Sequence, residues 1–156
     1  LDERAALARL GEGSIGRALN LADAGGLQLY CDLISLLEQL PTVEVAAAHA
    51  FADQLTRKGQ DQRYETTTEL LLWWLGRVVR GLARGRFAPE VVAGEHALVQ
   101  RITGDRFGEP ALERYMAVWE QTRDRLEEAE AASLDRKQVI LNLLSDLEAA
   151  ATSDPS

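Results

Sequence analysis

At 156 residues the chain is long enough for one domain of ordinary size, or for one domain plus a fragment of another, and folding at that length needs neither a disulfide nor a metal. Its formal charge of −8, from 17 basic and 25 acidic side chains, has the wrong sign for a domain that grips a nucleic-acid backbone by itself. No apolar run approaches the roughly 18 residues that a membrane span requires, and the one cysteine, Cys31, has no second cysteine to pair with and fits a reducing compartment.

Leu, Ala, Glu, Arg and Gln dominate, prolines number four and no Val/Ile/Thr alternation appears, so the expected class is all-α. Asp2 can cap a short helix that runs to Leu10 and ends at Gly11. Ser14 starts a second, with Ile15, Ala18, Leu19 and Ala22 on one apolar face. Gly25-Gly26 is the clearest break in the chain. Leu27 to Leu40 follows as a strong helix with Leu29, Leu33, Leu36, Leu37 and Leu40 on one side, stopped by Pro41. Thr42 is the expected cap of a helix from Val43 to Lys58, whose inner face is Val45, Ala48, Ala52 and Leu55.

The next helix, from near Asp61 to Arg84, carries the widest apolar surface. Leu71, Leu75, Val78 and Leu82 form one stripe, and Leu72, Val79 and Ala83 widen it. That width suits a helix contacted from several sides. Trp73, Arg77, Arg80 and Arg84 share the remaining edge, where Arg77 can stack on an outward Trp73. A turn at 84–89 leads to a helix from Glu90 to Ile102, and 103–110 reads as a loop. Pro110 suits the first turn of a long helix to about Ala132 that buries Leu112, Tyr115, Met116, Trp119, Thr122 and Leu126. Asp135 and Gln138 form a capping box for the last helix, with Ile140, Leu143, Leu144 and Leu147 inward, and Thr152 to Ser156 should fray. No internal repeat is evident, so a single irregular helical bundle fits better than a solenoid.

Few residues invite chemistry. His49 and His96 have no ligand partner at helical spacing, Cys31 has no evident base, and neither a phosphate-binding Gly-rich loop nor a Gly-x-Ser-x-Gly elbow is present. Glu127, Glu128 and Glu130 read as a solvated helix face. The expectation is therefore no catalytic, cofactor-binding or metal-ligating residue. Trp73, Arg77, Arg80 and Arg84 are the candidates for partner binding, against the plainer reading of a solvated edge.

Three stretches carry a resemblance. Leu7 to Leu21, LARLGEGSIGRALNL, looks like the end of the AAA+ lid domain in clamp-loader subunits, where a Gly-Ser begins the sensor-2 helix. Leu70 to Arg84, LLLWWLGRVVRGLAR, and Leu134 to Leu144, LDRKQVILNLL, resemble the C-terminal collar region of the delta prime subunits of bacterial DNA polymerase III, of the alphaproteobacterial type. The resemblance covers nearly the whole chain. It implies the end of a lid domain at residues 1–24, a helical collar of about five main helices at 25–151 and a frayed tail at 152–156. It also implies a cytoplasmic, non-catalytic scaffold in the heteropentameric ring that loads the sliding clamp during DNA replication. The implied partners are the tau/gamma and delta subunits; DNA and the clamp are reached only through the complex, and no membrane or cofactor is involved. Residue 1 is not methionine, and the expectation is a chain that begins inside a longer protein.

One departure is informative. ATP-binding relatives read like Gly-Ser-Leu-Arg-Asp-Ala-Leu, with the arginine on the nucleotide phosphates. Here Gly13-Ser14-Ile15 is followed by Gly16 and then Arg17, about 100° further round the helix, so a nucleotide role for Arg17 does not carry over. Two other readings stay open: a stand-alone α-helical protein-interaction adaptor unrelated to replication, and a helical-bundle enzyme using carboxylates.

Overall fold

The computed structural model describes residues 2–104 and 109–152, and within them the regular structure is helical throughout. Eight helices follow in order: α1 (Glu3–Leu10), α2 (Ile15–Asp23), α3 (Gly26–Leu37), α4 (Val45–Thr56), α5 (Asp61–Arg84), α6 (Glu95–Thr103), α7 (Glu109–Ala132) and α8 (Arg136–Thr152). The 24-residue α5 packs against α3, α4 and α7. Helix α8 lies across α4, α6 and α7, while α1 and α2 pack on each other and on α3.

Helix starts follow local chemistry at the N-terminal end. Asp2 accepts a hydrogen bond from the Arg4 amide at 3.1 Å, and Ser14 accepts from the Arg17 amide at 3.2 Å. Gly25 turns the chain into α3 at φ 68°, and a side chain on Gly26 would run into the Leu21 carbonyl, so this glycine pair sets how closely α2 and α3 join.

Further along, tertiary partners replace the local ones. Thr42 does not cap α4. The helix starts at Val45, and its entry is held by Gln39, which accepts from the Glu44 amide at 2.9 Å, and by Glu148 of α8, which accepts from the Val43 amide at 3.1 Å. Asp135 caps α8 alone, accepting from the Lys137 amide at 3.0 Å. Gln138 turns away and donates to Asn142 one turn on, so the reciprocal half of a capping box is absent. Helix α6 starts five residues later than expected. Glu95 is 3% exposed, and its carboxylate accepts from the amides of Val91 and Val92, which holds 91–94 as a turn. Glu90 accepts in the same way from the Gly94 and His96 amides.

The core is continuous. Leu71, Leu75, Val78 and Leu82 of α5 are buried, as are Leu29, Leu33, Leu36, Leu37 and Leu40 around α3 and Ile140, Leu143, Leu144 and Leu147 of α8. Trp74 is fully enclosed whereas Trp73 is half-buried. Three expected core positions lie outside. Val45 is 73% exposed because α4 meets its neighbours through Ala48, Ala52 and Leu55. Met116 is 41% exposed because the inner face of α7 runs through Ala111, Tyr115, Val118, Thr122 and Ala129; Leu112, Trp119 and Leu126 flank it. Ala83 is exposed on the outer edge of α5. The expected loop at 103–110 lies partly outside the described residues, as does most of the expected frayed tail.

Candidate functional site

Helix α5 ends where a groove begins. Gly85 adopts φ 72° and returns its amide to the Gly81 carbonyl, as does Arg86 at 3.1 Å, which reverses the chain. The Phe87 ring is then laid directly on Gly81, where any β-carbon would overlap it. That close approach requires the glycine, and it brings the segment 86–90 back along α5.

The returning segment is pinned by two arginines. Arg77 donates to the Pro89 carbonyl at 2.7 Å, and Arg9 of α1 donates to the Glu90 carbonyl. His96 Nε2 lies 2.8 Å from the Ala88 carbonyl oxygen, which fixes that nitrogen as the donor. On the other side the turn between α1 and α2 reaches α5 through Glu12, which adopts φ 51°. Its carboxylate accepts from Trp73 Nε1 at 2.7 Å and faces Arg80 at 3.5 Å.

Trp73 sits at the centre of this arrangement. Its ring receives the Arg77 guanidinium at 4.7 Å on one side, as the sequence suggested, and meets Tyr30 edge-on at 5.7 Å with the planes inclined by 73°. Tyr30 in turn donates to buried Glu95, and burial first, then the Glu95 charge, pushes the phenol far above its ordinary pKa. The Trp73 edge of the groove is therefore rooted in the core.

The result is an open groove of about 280 Å³ lined by Arg9, Glu12, Trp73, Arg77, Arg80, Gly81, Arg84, Arg86, Ala88 and Pro89. The structure brings all four sequence-derived candidates, Trp73, Arg77, Arg80 and Arg84, to one place. Their roles differ. Trp73, Arg77 and Arg80 hold neighbouring segments, while Arg84 and Arg86 point no bond at any described residue. Sequence reasoning missed Arg9, Glu12, Arg86 and Pro89. Glu12 and Trp73 are 61 residues apart, and no local pattern links them.

The remaining candidates behave as parts of the fold or its surface. Cys31 is half-buried at the core edge, and burial, with smaller contributions from Asp32 and Glu95, raises its thiol pKa away from reactivity. Glu127, Glu128 and Glu130 are exposed along α7, and His49 is exposed on α4. Among the described residues no group of three or more His, Cys, Asp or Glu side chains is placed to hold a metal ion, and no helix is long and apolar enough to cross a membrane. The apolar face expected on α2 is present but is left uncovered. Ile15 and Leu19, one turn apart on α2, are 78% and 60% exposed and form an uncovered apolar face.

Comparison with protein-family models, with curated proteins and with solved structures gives no match in any of the three.

Proposed function

We propose that this chain is a scaffold: the helical collar of a clamp-loader delta prime subunit, entered through the last two helices of its lid domain. In this reading it is a single irregular bundle of about five main helices, and its work is to hold neighbouring subunits in circular order. The observation that carries the reading is the convergence of Trp73, Arg77, Arg80 and Arg84 with Arg9 and Arg86 in one open groove, where Arg9 of α1 and the turn after it reach the long helix α5 and the segment that returns from it. Half-buried tryptophan flanked by arginine is the composition that anchors protein interfaces. The capped Gly-Ser start of α2 supports the lid assignment, and the bare Ile15–Leu19 face is where other lid helices would pack. The net charge of −8 favours protein partners over direct contact with DNA.

The test is co-elution with the C-terminal regions of the tau/gamma and delta subunits in size exclusion. Assembly with at least one is expected, and the Trp73→Ala/Arg77→Ala double variant should weaken it while helicity is kept. Failure to co-elute with either subunit would overturn the reading. Unchanged assembly of the variant would remove the groove from the interface.

A further inference from the structure

Five arginines against one glutamate give the groove four net positive charges in a chain whose formal charge is −8. We infer that the groove is a receptor for an acidic peptide segment of a partner protein, with carboxylates seated on Arg84 and Arg86 and apolar atoms against Ala88, Pro89 and the Trp73 edge. The inference rests on the reading that this face meets a protein partner, and it adds the partner's chemistry.

Three observations carry it. The first is that the groove already demonstrates the recognition. Glu12 enters one end, where the Trp73 indole N–H donates at 2.7 Å and the Arg80 guanidinium stands at 3.5 Å. A planar guanidinium beside an aromatic donor is a fitted carboxylate seat. The second is that two cations further along, Arg84 and Arg86, are exposed and their guanidinium groups make no hydrogen bond or ion pair with a described residue, so the same chemistry is on offer and unused. They flank the αL turn at Gly85, and that turn is fixed by the Gly81 carbonyl and the Phe87 ring, so the two guanidinium groups spring from a constrained backbone. The third is the lining. Gly81, Ala88, Pro89 and the half-buried indole present apolar surface between the charges. A peptide supplies both carboxylates and apolar side chains, whereas a phosphate ion supplies only charge. A nucleic-acid backbone needs a longer positive track than a groove of about 280 Å³ and meets an acidic chain beyond it.

The experiment uses the full 156-residue chain at low ionic strength. Three probes are titrated, a hexaglutamate peptide, tripolyphosphate and a single-stranded oligothymidylate, with the tryptophan fluorescence and heat of binding as readouts. Hexaglutamate should bind saturably and more tightly than either phosphate probe. The Arg84→Glu/Arg86→Glu variant should weaken it at least tenfold, with circular dichroism unchanged because neither side chain holds the fold together. Arg57→Glu, exposed just beyond α4, should change it less than twofold. No saturable hexaglutamate binding by the native chain, tighter binding of tripolyphosphate or oligothymidylate, or full binding by the charge-reversed variant would each overturn the inference. Co-elution with clamp-loader subunits without hexaglutamate binding defeats the acidic-segment assignment alone. Hexaglutamate binding without co-elution defeats the collar reading alone.

Discussion

Trp73 and Glu12, 61 residues apart, are joined by a 2.7 Å hydrogen bond from indole N–H to carboxylate, and this bond ties the turn between α1 and α2 to the middle of α5. A charge-assisted bond at a partly wet position contributes on the order of 1 kcal/mol. Trp73→Phe and Glu12→Gln should each cost about that much. A double-mutant cycle by urea denaturation should return a coupling of roughly 0.5–1.5 kcal/mol. Strictly additive effects would mean that the two side chains do not depend on each other in solution.

Glu95 is the most demanding polar residue of the core. Its carboxylate receives the Val91 and Val92 amides and the Tyr30 hydroxyl at a position that is 3% exposed. Glu95→Ala leaves three buried donors without an acceptor and should cost about 3 kcal/mol or more. Tyr30→Phe, which removes one donor and its need together, should cost about 1 kcal/mol. Chemical denaturation that gave the reverse order would show that the carboxylate is not the organiser of this turn.

Gly81 should not tolerate a methyl group, because the Phe87 ring occupies its β-carbon position. Gly81→Ala is expected to cost about 1–3 kcal/mol through displacement of the ring and the 86–90 segment. In the background of Phe87→Ala the same change should be nearly free, since alanine is the better helix former. Equal penalties in both backgrounds would rule out the ring contact as the cause.

Thr67 offers a gain. Its side chain is 2% exposed, and its hydroxyl finds no partner among the described residues. Thr67→Val keeps the branched shape and removes the unpaired hydroxyl, so stability should rise by about 1 kcal/mol. A loss in thermal unfolding would reveal a hydrogen bond made through water.

How stability changes at alkaline pH follows from three buried tyrosines. Burial raises the phenol of Tyr115 to about 12, and burial also raises Tyr30 and Tyr64. The neutral form is favoured in the fold, so this contribution is complete below pH 10, where the unfolded phenols are still protonated. Above pH 10 the unfolded chain ionises first and stability falls, for Tyr115 until about pH 12. Each such group steepens the fall by up to about 1.4 kcal/mol per pH unit. Tyr115→Phe, which also loses a 2.8 Å bond to the Ile102 carbonyl, should lower stability at pH 7 and flatten its decline above pH 10. An unchanged slope in denaturation at pH 10–11.5 would exclude Tyr115 from that response.

What could be read from the sequence was whatever rests on one helix at a time. The four-residue inner stripe of α5 and the shared edge of Trp73, Arg77, Arg80 and Arg84 follow from a period of 3.6, and the end of the helix follows from Gly85, which takes the left-handed conformation there. Positions whose fate depends on another helix were not legible. Met116 and Val45 are apolar and correctly spaced, but alanines and Val118 set the faces along which α7 and α4 approach their neighbours. Thr42 has the chemistry of a cap, yet Glu148 reaches the start of α4 from 105 residues away. The groove divides in the same way, since its arginine stripe was local whereas Glu12 and Arg9 arrive from α1 and the turn after it.

Glu12 also makes the chain its own competitor. A visiting carboxylate can berth beside it on Arg84 and Arg86, or evict it from Trp73 and Arg80 and so loosen the attachment of the first two helices to the rest. Where the guest takes the place of Glu12, occupancy of the groove and seating of those helices share one equilibrium, and whatever strengthens the resident side chain's hold weakens, by reciprocity, that of the guest.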